Sequence, residues 1–226
     1  MKKTRWSAGL VYADPLHLAR DVAALESAGC DELHVDVRDG AFMPGYGLGL
    51  ETIRALSQAT DLPIHAHLQI ERPELVIDEF AQAGCKAITI HIESTIHCHR
   101  AIQQILKAGA QAGIALKPAK PLTKLEYILS YVDFVHIITE DRDVARRVTL
   151  AGAFDRVKIL RTNLDYLESR AVLSVEGYMT AKHAALCVQN GAEQVVFDDA
   201  AVLGQGEVGS RLEAFKHEFN DELAVL

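Results

Sequence analysis

One unit recurs along this chain: a helical stretch ending in glycine, followed within a few residues by a short apolar strand. Leu25-Glu26-Ser27-Ala28-Gly29 precedes Leu33-His34-Val35-Asp36-Val37, Phe80-Ala81-Gln82-Ala83-Gly84 precedes Ala87-Ile88-Thr89-Ile90-His91, and Val188-Gln189-Asn190-Gly191 precedes Gln194-Val195-Val196-Phe197. Each glycine suits the left-handed cap that ends a helix, a conformation that costs a residue without Cβ little. Gly29, Gly84 and Gly191 lie 55 and 107 positions apart, close to two and four units of about 27 residues. Equal strand-helix units of that length imply eight parallel strands closed into a (β/α)8 TIM barrel. A chain of 226 residues suits one such barrel, so a single domain over 1–226 is expected. The competing architecture is a doubly wound open sheet. It would carry a glycine-rich turn after its first strand, and Val11-Tyr12-Ala13-Asp14-Pro15 has none.

Reading between the glycines predicts strands near 6–11, 32–37, 63–68, 87–92, 113–117, 134–138, 171–175 and 194–197, with helical stretches after each. Pro15, Pro73 and Pro121 suit first helical turns, and Thr180 suits a cap for the helix running to Asn190. Composition narrows the class of partner. No apolar run approaches the roughly 20 residues that cross a bilayer, and the apolar stretch behind the basic N-terminus is too short for a secretory signal. The net charge of −8 would repel a phosphate backbone, so neither membrane nor nucleic acid is expected as a partner. Cys30, Cys85, Cys98 and Cys187 form no CxxC pair, which fits a reducing, cytoplasmic location and argues against both a zinc ribbon and a disulfide framework. Barrels commonly self-assemble, so a homo-oligomer is expected.

In this fold, chemistry sits at the C-terminal ends of the strands, and the polar residues collect there. Strand two gives His34 and Asp36, strand three His67, strand four His91 and Glu93, and strand seven Glu176. Alternation puts His34 and Asp36 on the inward face while Val35 and Val37 pack against helices. Two imidazoles and two carboxylates form a borderline ligand set suited to one divalent ion: zinc, iron(II), manganese or cobalt. The alternative is structural, with His34 and His67 as core histidines bonded to backbone carbonyls and Asp36 capping a loop. His97, His99 and His183 are read as surface residues.

The run from Leu33 to Pro44 resembles the strand-two signature of the ribulose-phosphate 3-epimerase family, HVDxxDGxFxP. In the same order, His67-Leu68-Gln69-Ile70-Glu71-Arg72-Pro73 resembles that family's HLMIxxP. His91-Ile92-Glu93 resembles its HxE segment, and Ala115-Leu116-Lys117-Pro118-Ala119-Lys120-Pro121 its LNPxTP turn. The similarity spans about residues 8–203. It implies a metal held by His34, Asp36, His67 and Glu176. It further implies that Asp36 and Glu176 act as acid and base, passing a proton between the two faces of a sugar through an enediolate.

Departures from the family cluster around phosphate binding. Its glycine-rich MSVNPGFGGQ loop is Ile138-Thr139-Glu140-Asp141-Arg142-Asp143-Val144-Ala145-Arg146-Arg147 here, its VDGG is Val175-Glu176-Gly177-Tyr178, and its GS pair is Asp198-Asp199. Without glycines the backbone cannot cradle an anion, and two carboxylates repel one. Arg38, Gln69 and Ile138 stand where the family has methionines, Gly9 where it has serine, and Lys117 where it has asparagine. Gly9, Arg38, Gln69, Gly177 and Asp198 are therefore the expected substrate-binding positions, on a small sugar that lacks or alters the phosphate. Arg38 is read either as a clamp for a substrate carboxylate or as the partner of an acid such as Asp198. Glu176 in place of aspartate moves the carboxylate by roughly 1.5 Å unless the backbone retreats. Two further readings stay open: a non-catalytic barrel with a binding or regulatory role, and a decarboxylase or aldolase of the same fold.

Overall fold

The computed structural model describes residues 3–140, 150, 152–199, 201–204 and 206–226. Strands β1 (Arg5–Gly9), β2 (Glu32–Arg38), β3 (Ile64–Gln69), β4 (Ala87–His91), β5 (Gln111–Leu116), β6 (Phe134–Ile138), β7 (Val172–Glu176) and β8 (Gln194–Phe197) pair in parallel, each with the next. Strand β8 returns to β1, Trp6 opposite Val195, so the sheet closes into the expected barrel and the open-sheet alternative falls. Gly29, Gly84 and Gly191 take positive φ (75°, 111° and 105°), as their place at helix ends requires.

The helices are α1 (Leu18–Ser27), α2 (Leu50–Ala59), α3 (Ile77–Gln82), α4 (Cys98–Lys107), α5 (Ala153–Tyr166), α6 (Ala181–Gln189) and α7 (Val208–Val225). The sequence pattern anticipates a helix after every strand, but β5 is followed only by single turns at Leu122–Leu125 and Leu129–Tyr131. Pro118 and Pro121 each lack the N–H a helix interior needs, which keeps a helix from starting directly after β5. Thr180 caps α6 as expected, its hydroxyl accepting the His183 N–H at 3.2 Å. None of the described helices is long and apolar enough to cross a membrane.

Strand alternation divides the interior into two environments. Leu33, Val35, Val37, Leu68, Ile88 and Ile90 face outward into the apolar layer between strands and helices. There Trp6 lies edge-on to Phe215 and Phe219 of α7, with ring centroids 5.6 and 4.8 Å apart. The inward positions are polar for much of the barrel's height: Ser7, Glu32, His34, Asp36, His65, His67, Gln69, Thr89, His91, His136, Ser174, Glu176 and Gln194 are all buried. Burying so many polar groups is tolerable only if each finds a partner or a ligand.

Candidate active site

The β2–β3 register sets Asp36 beside His67 and Arg38 beside Gln69, while β7 delivers Glu176 from across the barrel. His34 Nε2, His67 Nδ1, Asp36 Oδ1 and Glu176 Oε2 converge on one point. His34 Nε2 lies 3.3 Å from His67 Nδ1, 3.4 Å from Asp36 Oδ1 and 3.3 Å from Glu176 Oε2. His67 Nδ1 lies 3.3 Å from Asp36 Oδ1 and 3.2 Å from Glu176 Oε2. Four ligands about 2.05 Å from a central ion at tetrahedral corners are separated by about 3.3 Å. These five separations are compatible with His34, Asp36, His67 and Glu176 sharing one divalent cation. Burial opposes a proton on His34, yet hydrogen bonding to Asp36 and Glu176 outweighs it and raises that imidazole to about 10.

Neighbours fix these groups. Asp36 Oδ2 accepts from Arg38 Nη2 at 2.9 Å and Oδ1 from Gln69 Nε2 at 2.8 Å, while Arg38 Nε donates to Gln69 Oε1 at 3.0 Å. The ring Arg38–Asp36–Gln69 closes on itself. Of the two readings of Arg38, a clamp for a substrate carboxylate or the partner of an acid such as Asp198, the structure shows it paired with an acid, Asp36 on its own strand. Gln69 turns inward onto the cluster. His67 Nε2 lies 3.0 Å from His91 Nε2, and His91 Nδ1 lies 3.5 Å from Glu93. Burial lowers His91 to about 4, so its Nε2 can accept from His67. That leaves His67 Nδ1 as the lone pair facing the cluster, the outer-sphere pattern of metal-binding histidines.

His136 of β6 is a residue that the motif comparison passes over. It sits opposite Ser174 in the β6–β7 register and places Nε2 2.6 Å from Glu176 Oε2. Burial pushes it down to about 3. The ligand atoms of His34, His67, His136 and Glu176 all lie within 4.8 Å of one another in one buried group, and those of Glu32, His34 and His65 in a second. Alternation in Phe134-Val135-His136-Ile137-Ile138 already turns His136 inward, as it does His65 and Glu32, each two residues before an expected ligand. That parity was the available signal.

A family model for ribulose-phosphate 3-epimerases matches residues 6–202. The chain belongs to the ribulose-phosphate 3-epimerase family. It is 34% identical over 212 residues to the chloroplastic ribulose-5-phosphate-3-epimerase of Arabidopsis thaliana, covering 93% of this chain and 75% of that one. It is 31% identical over 194 residues to the ribulose-phosphate 3-epimerase of Aquifex aeolicus, covering 86% and 85%. Among solved structures, 3-hexulose-6-phosphate synthase from Salmonella typhimurium superimposes with a TM-score of 0.73 over 97% of this chain and 100% of that one. At 11% identity that likeness is one of fold alone.

In this member of the epimerase family, the expected substrate positions differ in their surroundings. Gly9 is buried, with the Phe197 carbonyl 3.2 Å from where a Cβ would stand. Gly177 has φ 145°, and a Cβ there would run into Thr139 Oγ1, so packing alone requires glycine. Asp198 is buried, its carbonyl accepting from Val202 and Leu203 at 2.9 and 3.0 Å. Lys117 Nζ donates to the Phe42 carbonyl at 3.1 Å and lies 4.1 Å from that ring's centroid. Of the glycine-poor stretch after β6, residues 141–149 lie outside the described residues. His97 and His99 are exposed as expected, whereas His183 is half-buried, with Nδ1 2.9 Å from the Tyr178 carbonyl. The four cysteines are free thiols.

Proposed function

We propose that this chain is a metal-dependent sugar epimerase, in which Asp36 and Glu176 move a proton between the two faces of a carbon beside a carbonyl. The observation that carries the reading is the set of five separations of 3.2–3.4 Å among the donor atoms of His34, Asp36, His67 and Glu176. Those four residues would hold the ion. When bound, it supplies the positive charge that lowers the cost of oxyanion formation next to the departing proton.

One carboxylate removes the proton and the other returns one from the opposite face, so substrate and product differ only at that centre. The Arg38–Gln69 clamp orients Asp36, and His91 sets the tautomer of His67. Burial of the whole cluster excludes water that would compete for the proton.

For the substrate, we favour a sugar or sugar acid without the phosphate. Asp198 and Asp199 stand where the family has its GS pair, and Glu140 stands in the family's glycine-rich loop. A second reading, a sugar phosphate, is favoured by the relatives, which are named for ribulose phosphate.

The test is solvent-deuterium incorporation by the metal-loaded protein into ribulose 5-phosphate, ribulose and a panel of neutral ketoses and sugar acids. Exchange into the unphosphorylated compounds is expected, and Asp36→Asn should reduce it by about 10²–10⁴-fold while leaving the circular dichroism unchanged. Exchange into ribulose 5-phosphate alone selects the second reading. Less than one tightly bound divalent ion per chain, with no exchange into any compound, overturns the enzyme and leaves a binding role.

A further inference from the structure

We propose that His136 is a positioning residue that holds the carboxylate of Glu176 on the candidate metal site, donating its Nε2–H to one oxygen of that carboxylate and accepting from Ser174 through Nδ1. The inference deepens the reading above and rests on it for its metal arm. His136 is fully buried, and its ring stacks on that of His34, with centroids 5.1 Å apart and 14° between planes. Nε2 lies 2.6 Å from Glu176 Oε2, and Nδ1 lies 3.0 Å from Ser174 Oγ.

The short contact decides between two roles. Two ligands of one ion sit about 3.3 Å apart at tetrahedral corners and about 2.9 Å apart at octahedral ones. A separation of 2.6 Å is too close for co-ligands and ordinary for a hydrogen bond to a carboxylate. His136 therefore belongs outside the ion's own shell, even though it lies near enough to be grouped with His34, His67 and Glu176. A carboxylate oxygen only accepts, so Nε2 carries the hydrogen. Nδ1 is then a lone pair, and the Ser174 hydroxyl donates to it.

Glu176 Oε2 has two lone-pair directions. One is taken by His136, and the other points to His34 Nε2 and His67 Nδ1, at 3.3 and 3.2 Å. Glutamate has one more rotatable bond than the aspartate of the family's VDGG segment, and through that bond its carboxylate could swing off the site. A donor fixed in β6 removes that freedom. The longer side chain and the buried histidine thus work as a pair.

Replacing His136 by Leu keeps the volume and removes the donor. The metal-free variant should fold normally, bind Zn²⁺ about 10–100-fold more weakly in chelator competition, and shift the visible spectrum of the Co²⁺ form. His136→Gln, whose amide can donate, should recover most of the affinity and guard against misfolding of the Leu variant. With substrate, the loss should fall on kcat more than on KM. Zinc affinity within about threefold of wild type in His136→Leu overturns the proposal, because a packing role alone would give that result. Loss of stoichiometric binding as complete as for His67→Ala also overturns it, making His136 a ligand. Independently of any metal, ¹⁵N-edited spectra of the metal-free protein should show a hydrogen-bonded Nε2–H on His136 that vanishes in Glu176→Ala. Its absence from wild type refutes the pairing; its presence in a protein that binds no zinc upholds the pairing and sinks the metal reading instead.

Discussion

Two buried clusters of the same residue types lie two residues apart along β2 and β3, and their hydrogen bonds end differently. In the deeper one, Glu32 Oε1 accepts from Ser7 at 2.9 Å and Gln194 at 2.6 Å and lies 3.2 Å from His65 Nδ1. Arg5 stands 3.5 Å from the other oxygen, and His65 Nε2 reaches Thr89 at 2.7 Å. The carboxylate is surrounded by donors, and the one polar atom of this network without a hydrogen-bond partner is Gln194 Oε1. In the upper cluster, His34, Asp36, His67 and Glu176 bring two imidazoles and two carboxylates within 3.2–3.4 Å contacts of one another, and His34 Nδ1 has no hydrogen-bond partner. A buried histidine beside a carboxylate is thus uninformative by itself. What distinguishes the upper cluster is that carboxylates from two strands, Asp36 of β2 and Glu176 of β7, meet two imidazoles there.

Breaking each cluster in turn should give opposite signatures. Glu176→Gln in the upper one should lower deuterium exchange by about 10²–10⁴-fold and weaken zinc binding. Glu32→Leu in the deeper one strands Ser7, His65, Gln194 and Arg5, and should cost about 3–5 kcal/mol in urea unfolding while leaving zinc stoichiometry unchanged. Zinc at 100 times its dissociation constant should add about 2.7 kcal/mol to the wild-type protein, and the same increment to Glu32→Gln. Failure of that additivity would merge the two clusters into one.

The acid limit sharpens the contrast. Burial works against the charge on Glu32, but His65, His34 and Arg5 hold its carboxyl down to about 2, from an ordinary 4.5. A depressed carboxylate contributes stability that is fully present above 4.5 and is lost as the pH falls toward 2. The stability gap between wild type and Glu32→Gln should therefore be constant near neutrality and close in acid, as read by urea midpoints across pH. The smallest effect concerns Cys30, whose thiol donates to the Trp6 and Glu32 carbonyls at 3.4 and 3.2 Å and is pushed up to about 12 by burial. It should resist thiol reagents at neutral pH until the barrel unfolds. Labelling of Cys30 in the native protein would show the deeper layer to be open.

Much of this was legible in the sequence because barrels write their architecture in two simple periods. Helix-ending glycines at multiples of about 27 residues gave the closed ring, and alternation in Leu33–Val37 turned His34 and Asp36 inward. Partner choice was harder to read. Arg38 meets Gln69 through the β2–β3 register, which depends on the stagger of neighbouring strands and which no local pattern reveals. His136 and His65 were hidden for a related reason. They lie below the strand ends where motifs are sought, and their roles follow from depth in the barrel. The missing helix after β5 was signalled by Pro118 and Pro121, but strand-helix alternation outweighed them.

The central claim is that four side chains at the upper layer share one cation. Anomalous diffraction from crystals of the metal-free protein soaked in zinc tests it most directly. The account expects a single strong peak about 2.0–2.2 Å from His34 Nε2, Asp36 Oδ1, His67 Nδ1 and Glu176 Oε2. No peak there in excess zinc, or a peak held instead by Glu32, His34 and His65, would contradict it.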